Sequence, residues 1–124
     1  CGSGILAIAA ARLGAGDVIG VDIDPQAVIA ARNNAEENGV CARFQDSANE
    51  LHGQFDLVVA NILANPLKVL APLISAHVRR GGSLALSGIL FEQADELIAA
   101  YTPYLELRIA DTRDGWICLA GIKA

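Results

Sequence analysis

Short apolar runs that could form strands alternate with longer amphipathic segments that could form helices along this 124-residue chain. The clearest strand candidate is the mostly apolar run 55–60, which is bounded by turn residues and predicts a strand buried on both faces. Repeated alternation of this kind predicts an α/β fold with a doubly wound, mostly parallel sheet. No linker, repeat or low-complexity stretch divides the chain, so we expect one domain over residues 1–124.

The borders of the predicted elements carry glycine, proline and capping residues. Helices are predicted over 5–13, 24–38, 66–78 and 91–101. Strands are predicted over 17–21, 42–45, 55–60 and 83–87. The last two strand candidates, 105–110 and 116–122, are separated by a turn at Asp114-Gly115 and predict a closing antiparallel hairpin.

Composition and charge exclude several classes of protein. Apolar residues make up 53% of the chain, enough for a packed core, yet no apolar run approaches the roughly 18 residues of a membrane span. No signal-peptide pattern opens the chain, so we expect a cytoplasmic protein without membrane association. The net charge of −5 disfavours direct binding of nucleic acid but tolerates a basic protein partner. We expect no metal site, because no metal-ligand spacing relates Cys1, Cys41, Cys118, His52 and His77.

A glycine turn and an acidic residue indicate a nucleoside site. Gly2-Ser3-Gly4 opens the first helix, where glycine permits close approach of a ligand and the helix start presents unpaired N–H groups. Asp22 ends the next predicted strand, and its carboxylate can accept hydrogen bonds from both hydroxyls of a ribose. The run from Gly2 to Ala7 fits the dinucleotide fingerprint G-x-G-x-x-A with an acid about 20 residues later. This pattern is compatible with NAD and with S-adenosylmethionine, and also with a tight structural turn.

Asn61 favours methyl transfer over hydride transfer. It directly follows the 55–60 strand in the run NILANPL. Its side-chain carbonyl could accept a hydrogen bond from an amine nucleophile and orient the lone pair, while its backbone shapes a pocket around a methyl donor. An asparagine at this position can also cap the next helix or hold a turn.

Several longer segments together resemble the PrmA family, bacterial methyltransferases that act on the eleventh protein of the large ribosomal subunit. These segments are CGSG, GVDIDPQAVIAARNNAEENGV, FDLVVANILANPL, GGSLALSGIL with Gln93, and Gly115-Trp116. The resemblance covers essentially the whole chain and implies a seven-stranded class I methyltransferase sheet that ends in a hairpin. It also implies S-adenosyl-L-methionine as methyl donor, and lysine or N-terminal amines of a basic ribosomal protein as acceptors.

The resemblance implies which residues bind the donor. Gly2 and Gly4, with Ser3 between them, would cradle it. Asp22 would bind its ribose, and the neighbouring Ile23 would contribute to the same site.

Further implied positions lie later in the chain. Asn61 would line the donor and acceptor pocket and act as the catalytic residue, and the adenine would lie near Asp46 and Ser47. Trp116 could flank an acceptor channel, but a single tryptophan in a strand is more often part of the core, so we expect a core position.

Class I methyltransferases have an apolar first strand ending in Asp-x-Gly immediately before the glycine turn, whereas residue 1 here already belongs to the turn. We therefore expect a fragment that lacks this central strand and the substrate-recognition domain, and that is inactive and poorly stable when expressed alone. Two alternatives remain open from the residues alone. One is an NAD(P)-dependent dehydrogenase, favoured by the glycine turn and Asp22, and the other is a non-catalytic α/β module that binds a partner protein.

Overall fold

The computed structural model describes residues 2–46 and 51–124, which divide into two units, Cys1–Leu51 and His52–Ala124. Ser47, an expected donor-binding residue, lies outside the described residues. Across the described ranges, every helix falls short of the length and apolar character that a membrane crossing requires.

The first unit pairs two short parallel strands with two helices. Its elements are α1 (Ile5–Arg12), β1 (Ile19–Val21), α2 (Pro25–Glu37) and β2 (Arg43–Gln45). The two strands pair in parallel, with Gly20 opposite Phe44. The buried side chains come from both helices and from β2: Ala7, Ile8, Val28, Ala31, Ala35 and Phe44.

The start and the end of α2 follow local rules. The Asp24 carboxylate accepts a hydrogen bond of 2.9 Å from the Gln26 N–H, and Pro25 occupies the first helical position, where no N–H is needed. Beyond the C-terminal end, Gly39 has φ of +65°, a conformation that favours glycine. The prediction of a helix over 24–38 is therefore confirmed to within one residue at each end.

The second unit is built on a four-stranded mixed sheet. Its elements are β3 (Phe55–Asn61), α3 (Ala64–Val69), α4 (Ala71–Ala76), β4 (Val78–Leu90), a 3₁₀ turn (Phe91–Gln93), α5 (Ala94–Tyr101), β5 (Arg108–Arg113) and β6 (Trp116–Ile122). The strand order is β3-β4-β6-β5, with β3 and β4 parallel and the other two pairings antiparallel. The α/β class and the closing antiparallel hairpin are thus confirmed.

Two short helices replace the single helix predicted over 66–78. α3 and α4 meet at Leu70, and Pro72 lies in the first turn of α4. Proline has no N–H to donate to the carbonyl of Lys68, and its ring is crowded by that carbonyl, so one continuous helix is disfavoured.

The prediction that β3 is buried on both faces is wrong. Val58 and Ala60 pack against the core of the second unit, whereas Leu57 is 56% and Val59 is 45% exposed. β3 is the edge strand of the four-stranded sheet, and the core cluster covers only the face on which Val58 and Ala60 lie. An apolar run therefore indicated a strand correctly but did not reveal how many of its faces are covered.

The prediction of a core position for Trp116 is also wrong. Trp116 begins β6 and is 51% exposed, whereas the next residue, Ile117, is 2% exposed. Successive residues of a strand point to opposite faces, so the burial of Ile117 against the core directs Trp116 away from it.

Candidate functional site

The glycine turn is fastened to the end of β1 by one carboxylate. Asp22 Oδ2 accepts a hydrogen bond of 2.9 Å from the Gly2 N–H. Asp22 Oδ1 accepts a second one of 3.0 Å from the N–H of Asp24. Residues separated by 20 positions in the sequence are therefore joined directly, and the spacing of glycine and acid noted in the sequence reflects a contact in the fold.

The same contacts keep the Asp22 carboxylate negatively charged. The N–H of Asp24 and the N–H of Gly2 lower the pKa of Asp22 well below its ordinary value, because both hydrogen bonds stabilise the ionised form. An ionised carboxylate has about four acceptor positions, so further donors such as sugar hydroxyls can still be accepted. Asp22 thus combines a structural contact with the capacity to bind a polyol.

The two glycines of the turn have different surroundings. At Gly2, where φ is +52°, a Cβ atom would meet none of the described residues within 4 Å. At Gly4, where φ is +83°, a Cβ would lie 2.9 Å from the Ala31 Cβ and 3.3 Å from a ring carbon of Phe44. Gly4 therefore allows α1 to pack closely on α2 and β2, whereas Gly2 leaves open space beside the turn.

Asn34, which belongs to none of the site motifs in the sequence, also positions the turn. Its side-chain Nδ2 donates a hydrogen bond of 2.9 Å to the carbonyl of Ser3, so α2 holds the middle residue of the turn. The sequence offers only a weak signal for this role, an asparagine inside an alanine-rich helix, where that residue type is mildly unfavourable. Ile23, beyond the end of β1, is 90% exposed and available to a ligand.

The second unit contains an open cleft of about 520 Å³ around Asn61. Its lining residues come from the end of β3, the following loop, β4 and the start of β6: Asn61, Ile62, Leu63, Ser87, Gly88 and Trp116. We call it the Asn61 cleft. Asn61 is exposed, and within the described part of the chain its side-chain amide forms no hydrogen bond. The amide can therefore serve a ligand. None of the described residues that line the cleft has an acidic or basic side chain.

Gly88 brings the end of β3 close to β4. It has φ of +79° and lies where the pairing of β4 with β6 is irregular. A Cβ at Gly88 would lie 2.7 Å from Asn61 Oδ1 and 2.9 Å from the carbonyl oxygen of Ile62. Bulges of this kind often redirect side chains beside active sites, and here the bulge makes room for the Asn61 amide.

Gln93, part of the segment SGIL-x-x-Q, has a structural role nearby. Its Oε1 accepts a hydrogen bond of 2.9 Å from the Leu90 N–H, which fixes the 3₁₀ turn at the end of β4. This contact holds the chain just beyond the strand that carries Ser87 and Gly88.

The structure thus arranges the expected site residues in two groups. In the first unit, the turn at residues 2–4 is bound to Asp22, with Ile23 beside it. In the second unit, Asn61 and Trp116 line one cleft. The assignment of these residues to donor and acceptor binding remains a prediction.

The fold matches that of known methyltransferases. A methyltransferase from Pyrococcus furiosus superimposes with a TM-score of 0.83 at 19% sequence identity, over 97% of this chain and 69% of the other. The ribosomal protein L11 methylase of Lactobacillus delbrueckii subsp. bulgaricus gives a TM-score of 0.92 at 36% identity, over 98% of this chain and 66% of the other. The chain therefore has the Rossmann-like α/β fold of class I methyltransferases.

Sequence comparison specifies the family. The family model described as ribosomal protein L11 methyltransferase (PrmA) matches residues 1–124. The ribosomal protein L11 methyltransferase of Dechloromonas aromatica is 71% identical over 123 residues, which make up 99% of this chain and 42% of that protein. The chain belongs to the PrmA family, as its sequence motifs predicted. It spans about two fifths of the length of the curated relatives that it matches.

Proposed function

We propose that this chain is the catalytic portion of a cytoplasmic, S-adenosylmethionine-dependent protein methyltransferase that methylates lysine or N-terminal amines of ribosomal protein L11. The observation that carries the proposal is the family match over residues 1–124. The geometry of both places supports it. At the glycine turn the Asp22 carboxylate can accept hydrogen bonds from sugar hydroxyls, and the Asn61 cleft offers an uncharged amide. Neither a dehydrogenase nor a non-catalytic binding module finds support in the family or in the fold neighbours.

The donor-binding role falls to the first unit. Asp22 would accept hydrogen bonds from the ribose hydroxyls, and the open space at Gly2 would admit the donor close to the backbone. Ile23 would provide apolar contact, and Gly4 and Ser3 would hold the turn in shape. When bound, S-adenosylmethionine supplies an activated methyl group on a sulfonium.

Asn61 would orient the acceptor amine. Its side-chain carbonyl can accept a hydrogen bond from the neutral amine and direct the nitrogen lone pair, and positioning of this kind can contribute several kcal/mol to catalysis. The amine must first lose a proton. At pH 7 this costs about 4.6 kcal/mol for a lysine with an ordinary pKa of about 10.4, but only about 1–1.4 kcal/mol for an α-amino group.

We further propose that the proton is lost to solvent. Among the described residues, those that line the Asn61 cleft include no acid or base, and the cleft is open to water. Desolvation and a nearby positive charge lower the pKa of an amine, so the cost of deprotonation falls once the acceptor is bound. A rate that rises with pH until the acceptor is deprotonated is therefore expected.

The donor-binding role can be tested in the full-length protein by calorimetry with S-adenosylmethionine. Asp22→Asn should weaken donor binding at least about tenfold, because a hydrogen bond to a charged group is worth about 1.5–3 kcal/mol. Asp17→Asn is a matched control, since Asp17 lies in the same unit and its one ion pair among the described residues is an exposed one with Arg43. Equal affinity of the two variants, or tighter binding of NAD than of S-adenosylmethionine, would contradict the proposal.

The role of Asn61 requires a separate measurement of methyl transfer. Asn61→Ala should lower kcat/KM for the protein substrate at least about tenfold while changing donor affinity much less. Asn65→Ala is the control, because Asn65 is exposed in the same NILANPL segment but does not line the cleft. Full activity of Asn61→Ala would show that another group orients the amine.

A further inference from the structure

A second, smaller cleft adjoins the Asn61 cleft. It measures about 240 Å³ and is lined by Ser87, Asp111, Arg113, Trp116, Ile117 and Cys118. We call it the hairpin cleft. Ser87 and Trp116 line both clefts, so an acceptor bound beside Asn61 would reach the hairpin cleft directly.

The register of the closing hairpin sets which residues face this cleft. Asp111 pairs with Cys118, and Arg113 pairs with Trp116. Residues two positions apart in a strand lie on the same face, so the two charged side chains share the face of Trp116. Thr112, between them, pairs with the buried Ile117 on the opposite face. The hairpin thus presents one carboxylate and one guanidinium at the edge of the proposed acceptor site.

Neither charge is neutralised by an ion pair within the described residues, where the ion pairs join Arg43 with Asp17, Lys68 with Glu96 and Arg79 with Asp56. Asp111 Oδ1 accepts a hydrogen bond of 2.9 Å from the Thr112 N–H. This contact restrains the carboxylate, which retains further acceptor positions. The hairpin cleft therefore has a restrained negative group ready for an external cation.

We propose that the hairpin cleft binds the part of the acceptor protein next to the target amine, and that Asp111 pairs with a cationic side chain there. This inference rests on the proposed function. The net charge of −5 also favours a basic partner. Arg113 lies on the same face and repels a cation that approaches it. Asp111 and Arg113 together therefore determine which charges are favoured in the residues that flank the target amine.

Because Asp111 and Arg113 carry opposite charges, their removal should change kcat/KM in opposite directions. Methyl transfer by the full-length protein is measured with short peptides that carry one acceptor lysine flanked by lysine, glutamine or glutamate. Asp111→Asn should lower kcat/KM for the lysine-flanked peptide up to about fivefold, since an exposed ion pair is worth up to about 1 kcal/mol. Arg113→Gln should raise kcat/KM for the same peptide. Both effects should vanish with glutamine flanks and shrink at high salt.

A binding measurement without the methyl donor provides a second readout. Affinity of the fluorescently labelled lysine-flanked peptide should fall in Asp111→Asn and rise in Arg113→Gln. Asp95→Asn on α5 is the control for Asp111→Asn, because it changes the net charge by the same amount. Equal effects of Asp111→Asn on all three peptides, or none, would overturn the inference. If the wild-type protein methylated neither the peptides nor ribosomal protein L11, the proposed function would fail instead. The affinities would still decide whether Asp111 selects cations.

Discussion

Replacing Gly4 by alanine tests how the glycine turn is built. In the structure Gly4 precedes α1 with φ of +83°, and its missing side chain makes room for α2 and β2. A Cβ there would lie 2.9 Å from the Cβ and 3.2 Å from the Cα of Ala31. Neither atom belongs to a flexible side chain, so the helices themselves would have to separate.

Two costs combine in this variant. Holding alanine in the left-handed region costs about 1–2 kcal/mol. Adding a methyl group to a closely packed contact costs about 1–3 kcal/mol. We therefore expect Gly4→Ala to lower the free energy of unfolding by about 2–5 kcal/mol, a large part of the stability of an ordinary domain.

Gly2→Ala provides the matched control. Gly2 also has a positive φ, of +52°, but in the part of the chain that the structure describes a Cβ there meets no atom within 4 Å. This variant should incur only the conformational cost, so the difference between the two variants isolates packing at about 1–3 kcal/mol. Urea unfolding of the full-length protein, followed by circular dichroism, gives both values.

A second substitution, Ala31→Gly, tests whether the contact between residues 4 and 31 causes the packing cost. Ala31→Gly alone should destabilise α2 by about 0.8–1 kcal/mol. Combined with Gly4→Ala it removes the 2.9 Å contact, so the double variant should be more stable than the sum of the single effects predicts. If Gly4→Ala were no less stable than Gly2→Ala, or if the two changes were simply additive, our account of the turn would be wrong.

Three further predictions concern single groups. Gly88→Ala should lower methyl transfer at least about tenfold with little change in donor affinity, because its Cβ would lie 2.7 Å from Asn61 Oδ1. Burial raises the pKa of Tyr101 to about 12, so stability should be retained below pH 10 and lost between about pH 10 and 12. Tyr101→Phe should abolish this alkaline loss in urea titrations while forfeiting the 2.8 Å hydrogen bond to the Leu67 carbonyl, worth about 1 kcal/mol. The lowered pKa of Asp22 means that its stabilising contribution is present above about pH 4 and is lost in stronger acid, a loss that Asp22→Asn should remove.

Elements defined by neighbouring residues could be predicted from the sequence. The α2 helix begins at a carboxylate cap followed by proline, and the closing hairpin turns at Asp114-Gly115, both of which have positive φ. In each case the determining contacts lie within a few residues, so the local pattern carries the information. The relation between Gly2 and Asp22 could also be recognised from their spacing, because the glycine turn binds an acid that follows at a fixed distance along the chain.

Features that depend on distant packing could not be predicted in this way. The exposure of Val59 and Trp116 follows from which face of each strand the core covers. The bond from Asn34 to the carbonyl of Ser3 joins residues 31 positions apart, and no local pattern marks it. The position of Gly88 against Asn61 depends on a bulge whose register is set by pairing with β6. Strand burial and bulges are properties of the assembled sheet, so a sequence pattern can indicate the strand without its surroundings.

The surroundings of the glycines explain why the G-x-G pattern alone did not identify a cofactor. The space that a side chain at Gly4 would occupy is filled by Ala31 and Phe44, so this glycine is required by the packing of helix on helix and strand. Among the described residues nothing fills the space at Gly2, so of the two glycines this one is available for close approach of a ligand. Any βα unit packed in this way needs the second glycine. The G-x-G pattern therefore indicates the fold more than the cofactor, and nucleotide-binding folds of different function share it. Discrimination must come from a group at the end of another strand, and in this chain Asn61 is the residue to alter first.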